Sequence, residues 1–172
     1  MVKTYSLLLA GMIAVAPLAA SAMDQKELEA IGKILALSKD IPGGNVTVAV
    51  VYDGANAASN GEMEKIKGLI GGGFKAPMHT LTFKGVAAGG DLGGAKVVIL
   101  TEGLGGAAAA AGNAAKSGKA LCATASLAYV EGGNCMLGVD VGSSVKIVMH
   151  SKSIKDAGLQ FDPALQFMVS EI

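Results

Sequence analysis

The sequence predicts an α/β fold: a three-layer sandwich with a mixed, mostly parallel sheet, helices on both faces and a C-terminal antiparallel hairpin. Three observations predict it. Helical and strand patterns alternate along the first part of the chain. The segments NVTVAVVY at residues 45–52 and KVVIL at residues 96–100 are apolar almost throughout, which is typical of strands covered on both faces. A tight turn joins the last two predicted strands, as in a β-hairpin.

The first half of the chain supplies two helices and two strands. Residues 24–38 place apolar side chains at helical spacing and acids in the first turn, so an amphipathic helix is predicted there. Proline and glycines in IPGG end that helix. After the strand at 45–52, a helix centred on residues 62–70 is closed by glycines. The alternating segment MHTLTFK predicts a strand at residues 78–84.

The second half continues the alternation and ends in an antiparallel pair. A glycine-rich loop precedes the KVVIL strand, and the alanine-rich residues 103–118 favour a helix. The remaining predicted elements are strands at residues 120–126, 135–141 and 144–151, the last two joined by GSS, and helical turns at residues 152–157 and 163–168.

The N-terminus has the layout of a secretory signal peptide. A lysine precedes an apolar run over residues 5–20, and the small residues Ala20, Ser21 and Ala22 follow. The run is shorter than the roughly 20 residues of a bilayer span, so an anchor is the less economical alternative. We therefore expect cleavage after Ala22, export, and one mature α/β domain over residues 23–172 that does not insert into the membrane.

Composition excludes some classes of function. Aromatic residues make up 4% of the chain and there is no tryptophan, so the core must be aliphatic. Formal net charge is zero and every basic residue is a lysine. The chain lacks both the basic patch of a nucleic-acid-binding protein and the planar guanidinium groups that hold phosphates. We expect no nucleic-acid partner.

The two cysteines, Cys122 and Cys135, are expected to be bridged in an oxidising compartment. A loop of this length would contribute about 3 kcal/mol in the chain-entropy model. A redox switch is an alternative. A metal site is disfavoured because the spacing is not C-x-x-C and the two histidines lie far away in sequence.

No motif in the chain indicates catalysis or a cofactor. Gly103, Gly105 and Ala108 satisfy G-x-G-x-x-A, but the next strand does not end in the acid that a dinucleotide site requires. His79 and His150 are isolated, there is no nucleophile elbow, and His79 is expected to point to solvent from an alternating strand. Asp53 follows the first central strand, where an α/β sheet presents ligand-binding groups, but Asp53 with the following glycine also has the sequence of an ordinary turn, which is the favoured interpretation. We therefore expect no enzyme, no cofactor and no metal.

Glycines and apolar positions near the C-terminus carry a resemblance to a known family. The segment from residue 131 to residue 168 resembles the closing part of the YfiR family of bacterial periplasmic proteins, and the order of upstream elements is similar as well. Asn134 and Cys135 are inserted relative to the family pattern. The matching residues are Gly132, Gly133, Met136, Ala157, Gly158, Leu159, Phe161 and Leu165.

The resemblance implies a periplasmic regulator that binds and represses the periplasmic region of an inner-membrane diguanylate cyclase, and so affects cyclic di-GMP and biofilm formation. It also implies disulfides used for stability or redox response. Cys122 and Cys135 fall on neighbouring predicted strands, so a structural bridge is expected before a switch.

The expected docking surface is the outer edge of the hairpin or the N-terminal helix, either of which could contact a partner or a second copy of the chain. The residues predicted to contact the partner are Leu28, Ile31, Leu35, Lys146 and His150. The alternative function is a small-ligand binding module that resembles one lobe of a solute-binding protein and uses glycine loops such as IGGGF and EGLGG.

Overall fold

The computed structural model describes residues 22–142 and 144–172. The predicted signal peptide, apart from Ala22, lies outside the described residues. Within them, no helix combines the length and apolar character needed to cross a membrane.

A single eight-stranded sheet forms the centre of the fold. Its strand order is β2-β3-β1-β4-β5-β6-β7-β8. Strands β3, β1, β4, β5 and β6 run parallel, whereas the pairs β2–β3 and β6–β7 are antiparallel. The strands are β1 Gly44–Tyr52, β2 Phe74–Ala76, β3 His79–Ala87, β4 Val97–Leu100, β5 Leu121–Thr124, β6 Leu137–Val141, β7 Val145–Met149 and β8 Ser170–Glu171. This confirms the predicted mixed, mostly parallel sheet and its antiparallel hairpin.

The helices cover both faces of the sheet. The chain moves from β1 through α2 to β3 in one direction, and from β4 through α3 to β5 in the other. Because such crossovers are right-handed, α2 and α3 lie on opposite faces. The helices are α1 Gln25–Ala36, α2 Ala57–Ile70, α3 Ala107–Ser117, α4 Leu127–Glu131 and α5 Ser151–Ala157, with a 3-10 helix at Pro163–Phe167.

The sheet is not covered along its whole length. Thr47 of β1 and its neighbour Thr82 of β3 are exposed. The connection between β3 and β4, residues 88–96, is a loop and supplies no helix to pack on them. The prediction that the first strand is covered on both faces is therefore wrong at its N-terminal end and right from Val48 to Val51.

His79 at the start of β3 is buried, with 4% of its surface exposed. The prediction that it points to solvent is wrong, because the neighbouring strands β1 and β2 enclose the beginning of β3. Its Nδ1 lies 3.0 Å from the carbonyl oxygen of Pro77, and its Nε2 has no hydrogen-bond partner among the described residues.

Cys122 and Cys135 form a disulfide with a Cα–Cα distance of 5.2 Å. Cys122 lies in β5, and Cys135 lies just before β6, the strand next to it. Both residues are fully buried. The predicted bridge is confirmed, and its burial favours a structural role because reductants reach exposed disulfides more readily.

Candidate functional site

Two surfaces of the molecule are candidate binding sites. The first is the carboxyl-end cluster, which we define as residues 53–56 after β1 and residues 101–106 after β4. The chain leaves β1 toward one edge of the sheet and leaves β4 toward the other. The two loops diverge at this switch point, which is where ligands of open α/β sheets bind.

Buried hydroxyl groups hold the base of the carboxyl-end cluster. The Oγ of Ser59 and the Oγ1 of Thr101 are 2.6 Å apart. Thr101 donates to the carbonyl oxygen of Val51 at 2.9 Å, and the amide of Asp53 donates to Ser59 at 2.8 Å. Ser59 and Thr101 have no exposed surface. This network fixes the starts of both loops relative to α2.

The two loops also contact each other directly. Asn56 caps α2 by accepting hydrogen bonds from the amides of Ala58 and Ser59, and its Nδ2 lies 3.4 Å from the carbonyl oxygen of Gly103. Gly103 has a φ of +76°, and a Cβ there would come within 2.6 Å of Asn56. A side chain at residue 103 would therefore separate the loops. Gly103 of the glycine motif allows this close approach.

Glu62 of α2 is a component of the site that the sequence reasoning missed. Only 2% of its surface is exposed. One carboxylate oxygen accepts from the amide of Met23 at 3.1 Å, and the other accepts from the amide of Glu102 at 2.8 Å. Burial raises the pKa of Glu62, and burial also raises the pKa of Glu102. Glu62 thus ties the beginning of the described chain to the loop after β4.

The sequence contained a signal for the burial of Glu62. Ser59, Glu62, Met63, Ile66 and Ile70 share the buried side of α2. They follow one another at helical spacing, so Glu62 lies on the apolar face of a predicted helix.

Asp53 behaves as a turn residue. Its Oδ1 accepts from the amide of Ala55 at 2.9 Å, and its carbonyl oxygen accepts from the amide of Asn56 at 3.1 Å. Among the described residues, no three side chains of His, Cys, Asp or Glu form a group able to hold a metal ion.

Three of the predicted partner contacts lie in the core. Leu28, Ile31 and Leu35 are fully buried, because the apolar face of α1 packs on the sheet. They are not on the surface of the folded chain, which corrects the prediction that this face is available for docking. The exposed side of α1 carries Gln25, Lys26, Glu29 and Lys33.

The other two predicted contacts lie near the hairpin. Lys146 is exposed on β7. His150 is partly buried and caps α5, since its Nδ1 accepts from the amide of Ser153 at 3.1 Å. The structure therefore gives His150 a local structural role and leaves Lys146 accessible.

The second surface is the β7-edge groove, which lies between α1 and β7. Strand β8 pairs only with Val148 and Met149, so residues 145–147 have a free outer edge within the described part of the chain. Val145 is 59% exposed and Met168 is 43% exposed. The groove has a volume of about 340 Å³ and is lined by Lys26, Glu29, Ala30, Lys33, Val145, Ile147 and Met168.

Comparison with known proteins shows the fold. Neither the protein-family models nor the curated proteins yield a match to this chain. One similar solved structure is the ABC domain in complex with L-Trp from Streptococcus pneumoniae, with a TM-score of 0.57, 10% identity, and coverage of 84% of this chain and 59% of that one. A conserved domain protein from Vibrio cholerae has a TM-score of 0.57 and 16% identity, with coverage of 85% of this chain and 58% of that one.

The chain thus spans less than two thirds of the length of both structures. At these identities the similarity establishes a shared α/β architecture.

Proposed function

We propose that the chain is an exported, non-enzymatic regulator that binds and represses the periplasmic region of an inner-membrane signalling protein of the diguanylate cyclase type. The observation that carries this proposal is the β7-edge groove. It combines a free strand edge, an exposed valine and an apolar floor. In this function the chain acts through surface contacts and carries no reactive centre.

An extended segment of the partner is the occupant that this groove fits best. The free edge of residues 145–147 offers backbone groups for one added strand. Ala30, Ile147 and Met168 offer apolar area for its side chains, while Lys26, Glu29 and Lys33 form a charged border. An apolar centre with a charged border is the arrangement found in specific protein interfaces. Lys146 lies on the same strand, but its side chain points to the face of the sheet opposite to Val145 and Ile147, so it does not line the groove.

The disulfide supports the export that this function requires. A buried disulfide forms and persists in oxidising compartments such as the periplasm. Cleavage after Ala22 would release the mature chain there. The resemblance of residues 131–168 to the YfiR family supports the choice of partner.

The proposal is tested by pull-down from solubilised inner membranes with tagged mature protein. Wild-type protein is expected to retain a diguanylate cyclase, and Val145→Lys is expected to reduce that recovery at least tenfold. Met78→Lys is the matched control, because Met78 is also an exposed apolar residue, 70% exposed, and precedes β3 at the other side of the sheet. The proposal would be contradicted if both variants recovered equal amounts of the cyclase. It would also be contradicted if a second copy of the chain were the only protein retained.

Binding of a small ligand is the second candidate function, and one cavity favours it. A space of about 220 Å³ lies between the loop of residues 88–96 and α3, and its lining includes Gly90, Leu92 and Ala114. The Streptococcus pneumoniae structure is a complex with L-Trp, so small zwitterions and apolar metabolites are the first ligands to test.

A ligand bound only by the folded chain raises the melting temperature by mass action. If the second function is right, at least one compound in a panel of amino acids and metabolites will raise the melting temperature of the wild type. The same compound should not raise the melting temperature of Ala114→Leu, because the leucine side chain fills the cavity. Asn113→Leu, at the adjacent exposed position, is the control. No shift with any compound would leave the regulator as the better supported function.

A further inference from the structure

The residue that follows the predicted cleavage site is buried at its backbone and its side chain. The side chain of Met23 has no exposed surface. Its nitrogen lies 3.1 Å from a carboxylate oxygen of Glu62. The carbonyl oxygen of the preceding residue, Ala22, accepts from the Nζ of Lys65 at 2.9 Å. A chain beginning at Met23 would therefore place its terminal nitrogen beside a buried carboxylate.

Glu62 forms no direct ion pair in the described part of the chain, although the positive charge of Lys65 acts on it from a greater distance. The ion pairs found there are Lys67 with Glu64 and Lys152 with Asp156, and both are exposed. A carboxylate that is 98% buried is costly without an opposite charge. Two backbone amides offset part of this cost. A positive charge at the nitrogen of Met23 would offset more of it.

We propose that signal-peptide cleavage after Ala22 creates a buried ion pair between the new α-ammonium group of Met23 and the carboxylate of Glu62. The inference rests on the cleavage included in the proposed function. Water hydrolyses the peptide bond between Ala22 and Met23: the carboxylate leaves with Ala22, and the amine of Met23 takes up a proton. The amide donor that already points at Glu62 becomes a charged donor at the same place.

This ion pair connects processing to the carboxyl-end cluster. The second oxygen of Glu62 accepts from the amide of Glu102, the first residue after Thr101 in the loop after β4. A carboxylate held in its charged form by Met23 is a stronger acceptor for that amide. Processing would thus order residues 102–106, including Gly103, which contacts Asn56. The charged and titratable groups around the pair are Asp24, which caps α1, Glu27 of α1, Lys65 of α2, and Glu102.

Intact-mass spectrometry of the protein purified from the periplasm tests the cleavage independently of the ion pair. The expected mass is that of residues 23–172 with one disulfide. A different N-terminus would overturn the inference and leave the binding function to be judged by the membrane pull-down.

The ion pair is tested by comparing the chain that begins at Met23 with a chain that retains Ala22, each with and without Glu62→Gln. The chain that begins at Met23 is expected to melt roughly 5 °C or more above the Ala22-retaining chain, because loss of one member of a buried pair is strongly destabilising. In the Glu62→Gln background this difference should fall to about 1 °C, as expected for coupled groups. Glu64→Gln, an exposed position on the same helix, should leave the difference unchanged.

The pH dependence separates an ion pair from a packing effect. In the proposed pair the carboxylate would hold the pKa of the α-ammonium group above its unfolded value of about 7.7–8.0. While Glu62 is ionised, the contribution of the pair is therefore complete below that pH and is lost as the pH rises through the folded value of the ammonium group. The melting difference should therefore shrink above about pH 8. Hydrogen exchange at the amide of Glu102 should be slower in the chain that begins at Met23. A pH-independent difference, or equal exchange at Glu102, would refute the ion pair.

Discussion

Gly112 in the middle of α3 lies against the backbone carbonyl of Asn134, the residue next to Cys135. A Cβ built at residue 112 would penetrate that carbonyl oxygen far inside van der Waals contact. Because the neighbouring atoms belong to backbone held by the buried disulfide, they cannot move away easily. The close approach of α3 to the segment before β6 therefore depends on a residue without a side chain.

Gly112→Ala is predicted to destabilise the protein by about 3 kcal/mol or more, although alanine is the better helix former. Gly61→Ala in α2 is the control, since a Cβ there meets nothing within 4 Å. It should stabilise the chain by about 0.5–1 kcal/mol. Urea unfolding of both variants measures the difference. Equal effects of the two substitutions would mean that α3 does not pack on Asn134 as described.

The disulfide is predicted to act on stability alone. It joins residues 13 apart in sequence, so replacing both Cys122 and Cys135 with alanine should cost about 3 kcal/mol. Because both sulfurs are buried, a reductant should open the bridge only slowly in native protein. Reduction within seconds, with no loss of fold, would instead indicate a redox switch.

The stability of the fold should decrease as the pH rises from about 4.5 to about 7. Burial raises the pKa of Glu27 from 4.5 to about 7, and the nearby Asp24 carboxylate acts in the same direction. Between these values the folded chain binds a proton that the unfolded chain has released, so deprotonation favours unfolding. Burial raises the pKa of Glu102 as well, and this adds to the trend.

Glu27→Gln should reduce this decrease, because the amide side chain carries no charge into the buried site. Glu29→Gln, on the exposed side of α1, should not. Denaturant unfolding from pH 4.5 to pH 7.5 makes the comparison. A wild-type stability that increases over this interval would contradict the described burial of Glu27.

Thr101→Val is predicted to cost about 1–3 kcal/mol, since it removes the acceptor of the buried Ser59 hydroxyl and one of the two donors to the carbonyl oxygen of Val51. Thr47→Val is the control on an exposed position of β1 and should change stability by less than about 0.5 kcal/mol. Thermal unfolding is sufficient to compare them. If both substitutions were neutral, the hydroxyl network would not organise the carboxyl-end cluster.

The periodicity of apolar residues predicted most of the helices and strands, because it indicates which face of each element is buried. The helix at residues 24–38, the buried strands and the C-terminal hairpin all appear in the structure close to their predicted bounds. Strands β2 and β8 and helix α4 are too short to carry a periodic signal, so they were not predicted. Their formation depends on neighbouring elements rather than on local sequence.

The candidate site was less predictable for a different reason. The apolar residues of α1 could indicate either a core face or a docking face, and only the packed structure assigns Leu28 to the core. His79 and Glu62 are polar residues whose burial depends on elements distant in sequence. The β7-edge groove likewise depends on where α1 and Met168 meet the sheet.

Cyclic di-GMP measured in cells of the source organism tests the regulatory account most directly. Deletion of the chain should raise the nucleotide level severalfold, and expression of the wild type or of Met78→Lys should restore it. Val145→Lys, exported in equal amount, should fail to restore it because the β7-edge groove is blocked. An unchanged cyclic di-GMP level in the deletion strain, or full restoration by Val145→Lys, would contradict the account.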